Sequence, residues 1–455
     1  MTEEAMTMAT PTLWESIREH ARRRPEAVAL RFAEGEMTYR RLVTAVNTAA
    51  PEVPPHGVQV VRAGRDGRAV IEALIAQRFR RPALLVPHDA GAEYVSRIDR
   101  DLAAFADAPG AWRNVYGLWT TTSGSTGSPK IVAHDPEGVD RFVRWARDHF
   151  DLGPDTVSLS LSPINFDIAT LDVWAVLAAG GQVVFAPQED LTNGPALAAM
   201  ARTYDVDLLQ AVPVVLTLIA RAGAPVPRVR HVISTGDFYP LETLPALDST
   251  FPRAALWSVY GSTEINDGFL LDLRRATPGE LGRPIDGVRH RVDGSDGGEL
   301  LVSTPFQALG YVNAPNDVWR TFEGRREFRT GDLVTVDTDG TLRLTGRSDR
   351  QVKVRGVRLS LDAIETVLRR QDGVVDAVVT AHAKGSGDRE LIAAVLVDPG
   401  ASVSNLALRS AVSSALTPTA VPGRTFLTTE PFPVTGTGKT DRNGTINRFL
   451  ERRTP

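Results

Sequence analysis

Cysteine is missing from this chain altogether. That one absence excludes disulfides, zinc–thiolate sites and a cysteine nucleophile. A dominant charge of one sign is missing too. The formal net charge is −4 over 455 residues, which leaves no electrostatic case for nucleic acid or an anionic membrane as partner. No apolar run approaches the roughly 20 residues that a membrane span requires. The first residues, Met-Thr-Glu-Glu-Ala-Met, are acidic and lack the basic-then-apolar profile of a secretory leader. Internal repeats and long low-complexity tracts are also absent. A cytoplasmic enzyme is the expectation that remains.

What is present is ordinary globular composition, 42% hydrophobic and 23% charged. At about 150 residues per domain, the length points to two or three units. The chain is organised around residues 119–131, Trp-Thr-Thr-Thr-Ser-Gly-Ser-Thr-Gly-Ser-Pro-Lys-Ile. Gly124 and Gly127 let the backbone approach an anion closely. Backbone N–H groups can converge there, with Thr122, Ser123, Ser125 and Thr126 adding hydroxyl donors. Lys130 supplies a mobile point charge. This composition suits phosphates. A flexible Ser/Gly linker is the bland alternative, and Pro-Lys followed by an apolar run argues against it.

Elsewhere, Leu13, Trp14, Ile17 and Ala21 share one face of a helix over 11–25, with His20 beside that face in a structural role. Short buried strands are predicted at Val157–Leu161, Gln182–Phe185 and His231–Ser234. Helices are predicted at Phe142–Phe150, Leu171–Ala179 and Pro195–Thr203. This alternation predicts a largely parallel sheet covered by helices. The texture changes near residue 297, with a strand over Glu299–Ser303 and a hairpin over Leu333–Thr345 turning at Asp339-Gly340. After Gly346 a basic segment leads to a helix from Leu361 to Gln371 and strands at Val375–His382 and Leu391–Val397. The expected fold class is therefore α/β. A large N-terminal domain (1–348) has βα-layered sheets and a small β subdomain at about 297–345. A smaller, mobile α+β domain follows at 349–455.

Four further stretches carry candidate chemistry. Tyr260-Gly-Ser-Thr-Glu264 offers an aromatic face, hydroxyls and a carboxylate suited to a metal; a surface turn is the alternative. Phe328-Arg-Thr-Gly-Asp-Leu-Val334 places Asp332 at a strand, where a carboxylate can accept two hydrogen bonds from a ribose diol or can be an ordinary turn aspartate. Gly346-Arg-Ser-Asp-Arg-Gln-Val-Lys-Val-Arg-Gly356 is either a basic domain junction or a solvated strand. Pro433-Val-Thr-Gly-Thr-Gly-Lys-Thr-Asp-Arg442 contains Gly438-Lys439-Thr440, which imitates the end of a P-loop. Position 433 is proline where that pattern needs glycine, and only sixteen residues follow Lys439.

In this order, these motifs resemble the adenylate-forming (AMP-binding) superfamily of acyl- and aryl-CoA synthetases, luciferase and nonribosomal peptide synthetase adenylation domains. The likeness runs from about Met37-Thr-Tyr-Arg-Arg-Leu42 onward; residues 1–110 match least and look shortened. It implies a two-step ligase using ATP and Mg²⁺. A carboxylate attacks the α-phosphate of ATP, and a thiol then displaces AMP. By resemblance, residues 122–130 hold the β- and γ-phosphates. Tyr260 stacks on adenine with Thr263 beside it, Glu264 helps hold Mg²⁺, Asp332 binds the ribose, and Arg347 lies on the nucleotide. Asp349 is the implied hinge and Lys439 the implied adenylation lysine.

Phe166-Asp167 matches the place where amino-acid-activating relatives carry an aspartate for the substrate α-ammonium; an N-cap is the alternative reading of Asp167, and Asn165 as an aryl-acid contact is a competitor. The other implied pocket positions are Ile168, Leu171, Gln210, Ile233, Thr235, Val259, Asp267 and Gly268. Asp-Ile-Leu-Gln suggests a small substrate, whereas Thr235 and Asp267 add polarity that suits a polar or cationic one. No carrier-attachment or condensation motif accompanies the chain. The expectation is thus a free-standing amino acid adenylation enzyme that transfers to the phosphopantetheine arm of a separate carrier protein; the alternative is an acyl- or aryl-CoA ligase.

Overall fold

The computed structural model describes residues 11–49, 57–107, 116–122, 129–294, 297–348, 350–384, 388–433 and 440–451. Its largest sheet has nine strands. In spatial order they run Arg283–Pro284, Asn266–Asp272, Ala255–Ser262, His231–Thr235, Leu208–Ala211, Val157–Ser160, Gln182–Phe185, Val28–Phe32 and Gly35–Thr38. From Ala255–Ser262 across to Val28–Phe32 every pairing is parallel. The flanking hairpins, Val28–Phe32 with Gly35–Thr38 and Ala255–Ser262 with Asn266–Asp272, are antiparallel. Strands buried on both faces read as unbroken apolar runs, and all four residues of Leu208–Ala211 are buried.

Helix Leu13–Arg23 starts on a capping box, Thr12 with Glu15. Tyr39 fixes the start of the chain: its buried hydroxyl lies 3.0 Å from Leu177 O and 2.8 Å from Gly181 O. His20 Nε2 is 3.1 Å from Ala178 O, the structural role expected of it.

A second sheet has five strands in the order Gly310–Tyr311, Lys130–Ala133, Gly117–Thr122, Pro82–Pro87 and Gln59–Ala63. Its last three strands are parallel, but Gly117–Thr122 and Lys130–Ala133 pair antiparallel with Thr122 opposite Lys130. The Ser/Gly stretch therefore joins two antiparallel strands, not a strand to a helix. A third, antiparallel sheet contains Arg289–Asp293, Gly297–Ser303, Arg325–Val336, Trp319–Phe322 and Leu342–Arg347. It begins at Arg289, eight residues before the texture change that suggested it.

Beyond it, Gln351–Val354 and Val357–Ser360 form a hairpin, and Val374–Lys384, Asp388–Val397 and Arg424–Thr428 form a three-stranded sheet packed by helix Leu361–Arg369. Ser360 caps that helix through Ala363 N.

Two local expectations need correction. The helix expected at Phe142–Phe150 spans Pro136–His149, because Asp135 caps it and Pro136 occupies its first turn. The helix expected at Leu171–Ala179 opens as a π-helical segment, Thr170–Ala175, before a short α-turn, Val176–Ala178. Such segments cluster at functional sites. Among the described residues, no helix is long and apolar enough to cross a membrane.

Candidate active site

Loops at the carboxyl ends of parallel strands are where open α/β sheets bind ligands. Val157–Ser160 leads into the loop carrying Asn165 and Asp167. The Arg65 guanidinium holds the root of that loop, donating to Ser160 O at 3.2 Å and Leu161 O at 2.6 Å. Thr235 ends the next-but-one strand, and Asp267 follows the turn at Asn266, whose φ is 59°. That turn is held locally: Asn266 Oδ1 accepts from Asp267 N at 2.9 Å.

These residues meet in one cavity. Its wall includes Thr122, Asn165, Asp167, Ile168, Thr235, Thr263, Asp267, Lys353 and Arg358. A neighbouring cavity shares Thr122 and Arg358 and adds Lys130, Glu264, Tyr311 and Thr330. Lys130 Nζ stands 4.5 Å above the Tyr311 ring. Asn313 anchors its strand, accepting from Ile131 N and donating to Pro129 O, both at 2.8 Å.

Of the pocket positions expected from the sequence, Asp167, Ile168, Thr235 and Asp267 line the cavity. Leu171, Gln210, Ile233, Val259 and Gly268 do not lie in its wall, and all five are buried. Asp167 is not the N-cap that a local reading allows. Its Oδ1 accepts from Ile168 N at 3.0 Å, and the N-cap position of the π-helical segment is Ala169, with no side-chain cap.

The nucleotide-side residues form a second cluster. Asp332 and Arg347 are directly opposite across an antiparallel pair, so their ion pair follows from register. The Tyr260 hydroxyl donates to the other Asp332 oxygen at 2.5 Å, while Arg347 also donates to Thr330 O at 3.0 Å. Ser123, Gly124, Ser125, Thr126, Gly127, Asp349 and Lys439 lie outside the described residues.

Glu264 is 3% exposed and accepts from the Tyr311 hydroxyl at 2.7 Å. Burial pushes its carboxyl up, but the Arg358 charge and the Tyr311 hydroxyl outweigh it and hold the group below the usual range. Its second oxygen has no hydrogen bond and lies 3.5 Å from Arg358 Nη1. Magnesium held by one carboxylate and substrate phosphates fits that oxygen. Among the described residues, no group of three or more His, Asp or Glu makes a protein-only metal cage.

Burial, then the Glu264 charge, pushes Asp167 up, and the Lys353 charge opposes them. Burial, then the Asp167 charge, pushes Asp267 up to about 8. Lys353 is itself pushed down by burial, against the pull of Asp332 and Asp237.

Sequence reasoning did not assign Lys353, Arg358 or Tyr311. The first two arrive on the hairpin Gln351–Ser360, whose tip Arg355-Gly356 has φ of 49° and 78°, as a tight two-residue turn requires. The tip packs so closely that a Cβ on Gly356 would lie 2.1 Å from Val212 Cγ1. Alternating valine and basic residues from Val352 to Arg355 were the available signal.

A family model described as AMP-binding enzyme matches residues 96–312. An L-proline–[L-prolyl-carrier protein] ligase of Streptomyces coelicolor is 32% identical over 339 residues, covering 70% of this chain and 64% of that protein. A phenyloxazoline synthase of a Mycobacterium species is 33% identical over 353 residues, covering 72% of this chain and 30% of that one. The chain thus spans less than two thirds of the length of these relatives. An amide bond synthetase from Marinactinospora thermotolerans shares the fold, with a TM-score of 0.80 at 22% identity over 96% of this chain and 99% of that one. Ordered motifs, fold and family match together place the chain in the adenylate-forming, AMP-binding superfamily, among adenylation domains of the nonribosomal peptide synthetase type.

Proposed function

We propose that this protein activates the carboxylate of an amino acid with ATP and passes the aminoacyl group to the phosphopantetheine thiol of a carrier protein. A carboxylate oxygen bonds to the α-phosphorus as the bond to the β-phosphate bridging oxygen breaks, releasing pyrophosphate. The thiol sulfur then bonds to the acyl carbon, AMP leaves, and the thiol proton passes to solvent. Both partners of the first step are anions, so the protein must position them and neutralise charge.

In this reading the 122–130 segment and Lys130 grip the pyrophosphate end, and Lys439 reaches the reacting oxygens. Thr263 lies on the wall of the cavity that holds Asp167. Asp332 takes the ribose hydroxyls, held in orientation by Tyr260 and Arg347, with the Tyr260 ring toward adenine. Glu264 holds Mg²⁺, which would neutralise charge on the phosphates. Rotation about Asp349 exchanges the two half-reactions.

The observation that carries the amino acid in this reading is Asp167. It lies in the cavity wall at the strand ends, and among the described residues none forms a salt bridge with it. An ammonium supplies what it lacks, whereas a fatty or aryl acid would leave it unmatched. The proline–carrier ligase among the relatives supports the same class and a carrier as acceptor.

The test is pyrophosphate exchange dependent on an amino acid, together with Lys439→Ala. The expected result is exchange in the parent protein and a fall to background in a variant with an unchanged melting temperature. Parental exchange in Lys439→Ala would overturn the assignment of that lysine. A parent that exchanges only with acids lacking an amino group would overturn the amino acid reading.

A further inference from the structure

We propose that the amino acid activated here carries a second cationic group in its side chain, received by Asp267 with Asn165 beside it. This rests on the amino acid activation proposed above and narrows its substrate class.

Three acceptors share one wall. Asp167, Asp267 and Asn165 all line the cavity. Asn165 is 3% exposed, and its Oδ1 has no hydrogen-bond partner. Asp267 is 9% exposed, and no hydrogen bond or salt bridge to its carboxylate is found among the described residues. One α-ammonium can satisfy Asp167. It leaves a second carboxylate and an amide oxygen facing the same space.

Other buried acids do not share this condition. Asp207 has Arg228, Arg230 and the N–H of Val157; Glu327 has Arg291; Asp332 has Arg347 and Tyr260. The Asp172 carboxyl also has no ion pair among the described residues, but it lies outside the cavity wall, with the Ser160 hydroxyl and the Arg65 charge acting on it. Asp267 thus combines the two properties of a ligand contact, a carboxyl group with no partner among the described residues and a place in the cavity wall.

Lys353 lies in the same wall but does not meet that need. The Asp332 and Asp237 charges act on it, and its own charge acts on Asp167. Burial and the Asp167 charge are what act on Asp267. An isolated buried carboxylate is costly, and a neutral side chain would seal it away from water without compensation. A side-chain ammonium or guanidinium would turn the same group into a charge-assisted contact.

The test is pyrophosphate exchange by the full chain with diamino and neutral acids of matched length: diaminobutyrate against norvaline, ornithine against norleucine, lysine against 2-aminoheptanoate. Asp267→Asn and Asp267→Leu are run alongside, with thermal melting to check folding. The expected result is a kcat/KM preference of about 100-fold for the best diamino acid over its neutral match. That preference collapses in both variants, because the diamino acid loses far more kcat/KM than its neutral match. Calorimetric binding of the two matched acids to the parent protein should show the same order.

A parent enzyme that activates amino acids but favours the neutral partner would overturn this inference and leave the proposed function standing. So would variants that lower both substrates equally. If neither variant folds, the parental preference and the binding order decide alone. Activation confined to acids without an amino group would remove the proposed function itself.

Discussion

Glu365 and Asp267 are both buried carboxylates, and their surroundings are opposite. Glu365, 0% exposed, accepts from Arg350, Arg369 and Val379 N, each at 2.9 Å, with Arg442 at 3.4 Å. Burial pushes its carboxyl up, but these donors outweigh it and hold the group below the usual range. Asp267 has no such partner among the described residues and is pushed up to about 8. The first arrangement is what a folded core requires of a charge. The second makes sense only where something else arrives. Buried charge that is locally complete marks architecture, and buried charge left incomplete beside a cavity marks a site.

The contrast can be broken most easily at Glu365. Its removal strands several guanidinium groups at the joint between helix Leu361–Arg369 and strand Val374–Lys384. We expect Glu365→Ala to lose about 3–5 kcal/mol of stability, read from denaturant midpoints. A loss below about 1 kcal/mol would mean that the network is ornamental.

Asp267 predicts an effect of the other sign. Its folded-state carboxyl titrates far above that of the unfolded chain, so the folded protein binds the extra proton. Its contribution to stability therefore falls as pH rises from about 4 toward 8. Asp267→Asn should flatten this slope, so that the ligand-free variant melts higher than the parent at pH 8 and no higher near pH 4. The expected gain is a few kcal/mol, at about 1.4 kcal/mol for each unit by which the folded carboxyl is raised. Parallel melting curves across that range would show that Asp267 is already satisfied.

Sequence reading reached the elements whose signals are local. Leu13, Trp14 and Ile17 on one face announce the first helix, and apolar runs such as Gln182–Phe185 and His231–Ser234 announce buried parallel strands. Three residues that the motifs singled out stand at adjoining cavities: Thr122 lines both, Thr263 one and Glu264 the other. What escaped was pairing across distance. Nothing local says that Thr122 faces Lys130 in an antiparallel ladder, or that the Gln351–Ser360 hairpin carries Lys353 and Arg358 to the site. The π-helical segment escaped because Thr170–Ala175 has the same apolar spacing as an α-helix. Asp267 was legible as a polar intrusion; its lack of a partner is a property of the surroundings, not of the residue.

The most direct test of the account is the effect of Asp167→Ala on pyrophosphate exchange across a panel of amino acids. We predict that the parent responds to an amino acid and that the folded variant loses about 100-fold in kcat/KM for it. Undiminished exchange in the variant would contradict the ammonium reading on which the account stands.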